Sequence, residues 1–180
     1  MPTIGLVVEG DYDEAAIQVF IRRSRKGVKV VTRQCRGSVT AGKLRGILAV
    51  LSQSYRPEKV LIVRDTDGGD PARLIAAMKK MIVGTFSFPI HPLVAVEALE
   101  AWLLADPLAL ESVLGIKKSF PSPEKIRDPK TQLRKLLSRR TAYTPELAKG
   151  LAEEADLSVL KTRCPWFATF QRAILRPRAS

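Results

Sequence analysis

The chain alternates between short, wholly apolar runs and longer stretches whose apolar residues return every three to four positions. The first run, Thr-Ile-Gly-Leu-Val-Val at 3–8, lacks polar alternation and predicts a strand buried on both faces, as in a parallel sheet. Positions 11–25 follow with Ala15, Ala16, Val19 and Phe20 on one helical stripe. A short β-branched strand is expected at 28–32. After a turn at 37–40, with Thr40 as N-cap, Leu44, Ile47, Leu48 and Leu51 mark a second amphipathic helix. The third strand, Lys-Val-Leu-Ile-Val-Arg at 59–64, ends in Asp65-Thr66-Asp67-Gly68-Gly69, and Asp70-Pro71 opens a third helix. A fourth strand is expected at 85–90 and a largely buried helix at 93–104.

Strand and helix in alternation predict an α/β fold: a parallel sheet flanked by helices, joined by right-handed crossovers, over residues 1–106. Beyond that the pattern changes. Pro107, Pro121, Pro123 and Pro129 punctuate an expected loop, and helical periodicity returns at 131–139, 145–155 and 165–175. Residues 107–180 are therefore expected to form a C-terminal helical extension packed on the core.

Composition narrows the chemistry. The 180 residues include 30 Lys and Arg against 18 Asp and Glu, a net charge of +12 that points to a polyanionic partner, nucleic acid first. Cys35 and Cys164 form no CxxC pair and read as reduced thiols of a cytoplasmic protein. The most apolar stretch, 93–105, is too short to span a bilayer and carries two glutamates. His91 is the single histidine, which argues against a multi-imidazole zinc site and a Ser-His-Asp triad. Any bound metal must then be held by oxygen, which selects Mg²⁺, Mn²⁺ or Ca²⁺.

Acidic residues fall where such a site is expected. Ligands of open parallel sheets bind beyond the carboxyl ends of the strands. Glu9 follows the first strand; Asp65 and Asp67 follow the third. Asp13 lies at a helix start, where an acid also suits the macrodipole. Glu97 and Glu100, three apart in the expected buried helix, would share a face and need a cation, an arginine or water. Candidate phosphate-contacting cations are Arg22, Arg23, Lys117, Lys118 and Lys130, the last set after Asp128-Pro129.

Ile4-Gly5-Leu6-Val7-Val8-Glu9-Gly10, with Asp13, and Val60-Leu61-Ile62-Val63-Arg64-Asp65-Thr66-Asp67 together resemble the TOPRIM fold. That resemblance implies Mg²⁺ surrounded by Glu9, Asp65 and Asp67, with Asp13 matching the acid of the primase-like and nuclease branches. The 94–106 segment and Cys164-Pro165-Trp166-Phe167-Ala168-Thr169-Phe170 look like a short standalone TOPRIM-like family of unknown function (domain of unknown function 4276). This resemblance implies a separate ATPase partner and a role in defence against foreign DNA. Topoisomerases and primases of this fold need further domains, which these 180 residues are not expected to supply, so hydrolysis is the expected chemistry.

The leading expectation is therefore a Mg²⁺- or Mn²⁺-dependent nuclease. Glu9, Asp65 and Asp67 would serve catalysis and metal binding, and Asp13, Glu97 and Glu100 would complete the metal set. Two alternatives stand beside it. One is a non-catalytic nucleic-acid-binding partner of an ATPase. The other is a haloacid-dehalogenase-like phosphatase with Asp65 as nucleophile, since Val63-Arg64-Asp65-Thr66-Asp67-Gly68 resembles that family's first motif. Thr40-Ala41-Gly42-Lys43-Leu44 lacks the flanking residues of a Walker A motif, so an ATP-driven step would need another chain.

Overall fold

The computed structural model describes residues 1–139 and 141–177. Four parallel strands, β1 (Thr3–Val8), β2 (Lys29–Gln34), β3 (Lys59–Asp65) and β4 (Ile90–Ala95), form one sheet in the order β2-β1-β3-β4. Helix α1 (Asp11–Ser24) covers one face; α2 (Ala41–Ser54) and α3 (Pro71–Met81) cover the other. The absence of alternation in β1 and β3 has this cause, because both faces of these inner strands are buried. Gly5 is required at the centre: a Cβ there would lie 2.9 Å from Val60 Cγ2 and 3.2 Å from Leu51 Cδ1.

The fourth strand lies five residues later than expected. Residues 85–89 are irregular, and β4 occupies the start of the run read as a helix. Pro92 is tolerated within β4 because β4 is an edge strand. Pro89 and Ala95 turn their carbonyls toward β3, accepting from Val60 N–H and Thr66 N–H, so the alternate position Pro92 faces outward, where no N–H is needed.

After β4 come the one-turn α4 (Glu100–Leu103) and α5 (Pro107–Leu114), then α6 (Pro129–Leu136), α7 (Pro145–Glu154), α8 (Leu157–Arg163) and α9 (Pro165–Leu175). Helix α5 replaces part of the expected loop. Asp106 caps it, accepting from Leu108 N–H at 2.9 Å, and Pro107 takes the first position, where its missing N–H costs nothing. The other Asp106 oxygen accepts from Asp156 N–H at 2.7 Å, fastening α5 to the start of α8. Phe167 and Phe170 of α9 meet Trp102 at centroid distances of 5.3 Å, and Phe20 of α1 lies 5.2 Å from Phe167. The C-terminal helices therefore share one core with α1 and the sheet. Among the described residues no helix is long and apolar enough to cross a membrane.

Candidate functional site

The sheet grows from β1 toward β2 on one side and toward β3 on the other. The crevice beyond the carboxyl ends of β1 and β3 is thus the topological switch point, where open α/β sheets bind ligands. Glu9 is the first residue past β1, and Asp65 is the last of β3.

Each loop carrying these acids is tied to the loop of a neighbouring strand. Cys35 N–H donates to Val8 O at 2.8 Å and Gly37 N–H to Glu9 O at 3.2 Å. Asp67 N–H donates to Glu97 O at 3.0 Å, and Glu97 N–H to Thr66 Oγ1 at 2.7 Å. Asp67 and Glu97 both take left-handed backbone, with φ of 47° and 61°, conformations that for non-glycine residues cost about 1–3 kcal/mol each. The two glycines after Asp67 serve the turn itself: Gly68 has φ of 80°, and Gly69 closes onto Thr66 O at 2.8 Å.

Asp65 Oδ1 accepts from Leu99 N–H at 2.9 Å. Burial, then the charges of Asp13 and Glu100, push its carboxyl up to about 9. Asp13 does two jobs: Oδ2 accepts from Gly10 N–H at 3.2 Å, capping α1, while burial and Glu100 push it up to about 7. Glu100, 3% exposed, connects the group electrostatically, since its charge acts on Asp13, Asp65 and Tyr143. Burial raises the Tyr143 phenol, and the Glu100 carboxylate raises it further by its charge and by hydrogen bonding; no other partner reaches the buried Oη among the described residues. Tyr12 stacks beside it at 4.8 Å and donates its own Oη to the Tyr143 carbonyl.

Glu9 sits nearer solvent. Burial raises its carboxyl, Arg64 with Nε at 3.8 Å pulls the other way, and Asp67 raises it again. Asp65, Asp67 and Glu97 line a cleft of about 490 Å³ together with Arg127 and Lys130. Lys130 Nζ lies 5.2 Å from the centroid of the Tyr12 ring and lowers the Asp13 carboxyl.

The expected pairing of Glu97 and Glu100 on one helix face is corrected. Glu97 lies at a left-handed bend after β4, Glu100 opens α4, and only Glu100 is buried. An apolar run reads alike for a buried strand and a buried helix, which is why the periodicity misled. Both residues still reach the switch-point end of the sheet, by different routes. Among the described residues, no three acidic, histidine or cysteine side chains form a ready-made ion cage.

Of the candidate cations, Lys130 stands at this site. Arg22 and Arg23 lie in the last turn of α1, which runs back along the sheet and puts them at its opposite end. Arg23 Nη1 is held by the carbonyls of Ala152 and Ala155 at 2.7 and 2.5 Å, closing the end of α7. Lys117 pairs with Glu111 at 3.2 Å, and Lys118 Nζ lies 6.0 Å from the Phe120 ring centroid. Sequence reasoning missed Tyr143, for no periodicity links a loop tyrosine to a carboxylate in another part of the chain.

The fold is similar to that of a crystal structure of the hypothetical protein PH0156 from Pyrococcus horikoshii OT3. The two share 15% identity with a TM-score of 0.57, over 98% of this chain and 100% of that one. No curated protein matches the chain. The domain of unknown function DUF4276 matches residues 8–175, nearly the whole length, and the chain belongs to that family.

Proposed function

We propose that the protein is a Mg²⁺- or Mn²⁺-dependent nuclease that hydrolyses phosphodiester bonds at the β1–β3 switch point. The observation carrying this reading is Asp65: a half-buried carboxyl at the strand end, crowded by the charges of Asp13 and Glu100, with one backbone donor and no ion pair among the described residues. Crowded carboxyls of this kind gain most from a divalent cation, which relieves their repulsion and replaces lost hydration. The donor set fits a hard cation, being all oxygen, with the Tyr143 hydroxyl beside Glu100. His91 lies at the opposite end of β4. The open arrangement suits Mg²⁺, which keeps waters and binds through one or two carboxylates plus substrate phosphate.

Asp65, Asp67 and Glu9 would hold the ion, with Asp13 and Glu100 behind them. The bound ion supplies Lewis-acid stabilisation and lowers the pKa of attacking water. Glu9, partly open to solvent and raised by burial, takes the proton of that water. Lys130 and Arg127 neutralise the phosphodiester across the cleft. The TOPRIM resemblance of the Glu9 and Asp65–Asp67 motifs supports this assignment, and an ATPase subunit would be a separate chain.

The test is Mn²⁺ binding by electron paramagnetic resonance beside a nuclease assay on single- and double-stranded DNA and RNA. Asp65→Asn and Asp67→Asn are expected to lose both. Cleavage retained by either variant would overturn the reading. Nucleic-acid binding without cleavage under any divalent cation would favour the non-catalytic alternative.

A further inference from the structure

A second cleft, of about 510 Å³, opens beside the carboxylates, a volume within the roughly 300–1,000 Å³ typical of small-ligand sites. Its wall includes Val96 and Lys125, whereas Glu97 and Arg127 line the carboxylate cleft. The two clefts thus share the 96–97 bend and the 125–127 strip as a common rim. We infer that this second cleft is a subsite for an unstacked nucleobase, whose phosphate lies over the rim at the carboxylates. The inference rests on the phosphodiester reading above and names the part of the substrate that reading leaves out.

The aromatic surface is Trp166. It is half-buried, and no described aromatic ring stacks on it, in contrast to Trp102, which is wholly buried among Phe20, Phe167 and Phe170. Glu124 fixes both tryptophans. One carboxylate oxygen accepts from Trp102 Nε1 at 3.0 Å, the other from Trp166 N–H at 3.3 Å, and Pro165 sets the preceding turn. Trp166 is therefore anchored through its backbone and by packing against the core under α2 and α3, and it also lines the cleft. A pre-positioned indole is a stacking platform for any base, since every base has a π-face.

The rest of the lining selects for a nucleotide over a neutral apolar ligand. Arg163 is braced by its Nη1, which donates to Ala105 O at 3.0 Å and Ser119 Oγ at 3.2 Å, and Lys125 is exposed at the mouth. Two cations beside an aromatic platform, on the path to a cleft bearing Arg127 and Lys130, match a planar ring carrying phosphate.

The experiment follows tryptophan fluorescence of the full chain, in chelator, titrated with adenosine 5′-monophosphate or with base-free ribose 5-phosphate. Saturable quenching by the nucleotide alone is expected. In competition against a fluorescent nucleotide, Trp166→Phe should retain binding and Trp166→Ala weaken it about tenfold. Equal response to both ligands, no response to either, or unchanged affinity in Trp166→Ala would overturn the subsite. If Trp166→Ala fails to fold by circular dichroism, the ligand pair and Trp166→Phe still decide. Mn²⁺ binding is measured in parallel. Asp65-dependent Mn²⁺ binding without base discrimination rejects the subsite alone; base discrimination without Mn²⁺ binding rejects the metal reading alone.

Discussion

The two ends of the sheet handle buried charge in opposite ways. At the amino end, Lys59 is 1% exposed, yet its ammonium donates to the carbonyls of Ala173 and Ile174, each at 3.0 Å, and to Arg176 O. Those are the orphan acceptors of the last turn of α9, where the helix dipole also favours a cation. Arg23 closes α7 similarly, and Arg25 pairs with Glu58. At the carboxyl end, Asp13, Asp65 and Glu100 gather with few donors, one backbone N–H each for the two aspartates and the Tyr143 phenol beside Glu100. Charges matched by the chain's own backbone build architecture. Charges left unmatched point to a partner from outside, and they are what stability gives up for function.

The sharpest break of this contrast is Asp65→Asn, expected to weaken Mn²⁺ binding at least about 100-fold in a spin-resonance titration, since even indirect supports of metal ligands are worth about 10–100-fold. Its fold should be no less stable than the parent at pH 8. A variant that instead destabilised the fold and kept Mn²⁺ would make Asp65 a structural group like Lys59. The reciprocal change, Lys59→Met, should cost about 2–3 kcal/mol in urea unfolding by stripping buried carbonyls of their donor. Mn²⁺ affinity should not move, and a matching loss of affinity would show that the two ends are not separate.

The contrast also has a pH signature. Asp65 and Asp13 have native values raised to about 9 and 7, above the roughly 4 of an unfolded aspartate. The native state then binds more protons than the unfolded state between those limits, so metal-free stability is greatest below about pH 4 on this account and falls as pH rises toward 9. A drop in melting temperature of at least roughly 5 °C between pH 5 and pH 9 is expected by calorimetry in chelator. Mg²⁺ should reverse it and Asp65→Asn should flatten it; a parent curve that rises over this range would contradict the assignment. The smallest effect separates the cations. Lys130→Ala should reduce the slope of log affinity for nucleic acid against log salt by about one, while Arg22→Ala, at the far end, leaves it unchanged.

Much of this was legible from residues in order. The unbroken apolar runs at β1 and β3 identified buried parallel strands, and acids placed directly after them sit at the switch point. The expected β4 failed because Pro92 and the apolar stretch after it carry no period that separates edge strand from buried helix. Asp106 before Pro107 reads as a helix cap in sequence, and it is one; helix α5 itself was hidden because Pro107, taken with the prolines after it, resembles loop punctuation when the helix is only two turns long.

The sequence by itself determined the layered α/β class, the presence of a single histidine, and the candidacy of Glu9, Asp65 and Asp67, all of which depend on local order and residue type. Tertiary structure alone decided that Glu100 and Tyr143 join Asp13 and Asp65, that Lys59 and Arg23 are helix caps, and that Lys130 reaches the acids. Such pairings depend on which strand ends and helix ends pack together, and electrostatic coupling follows distance in space, which local periodicity does not encode.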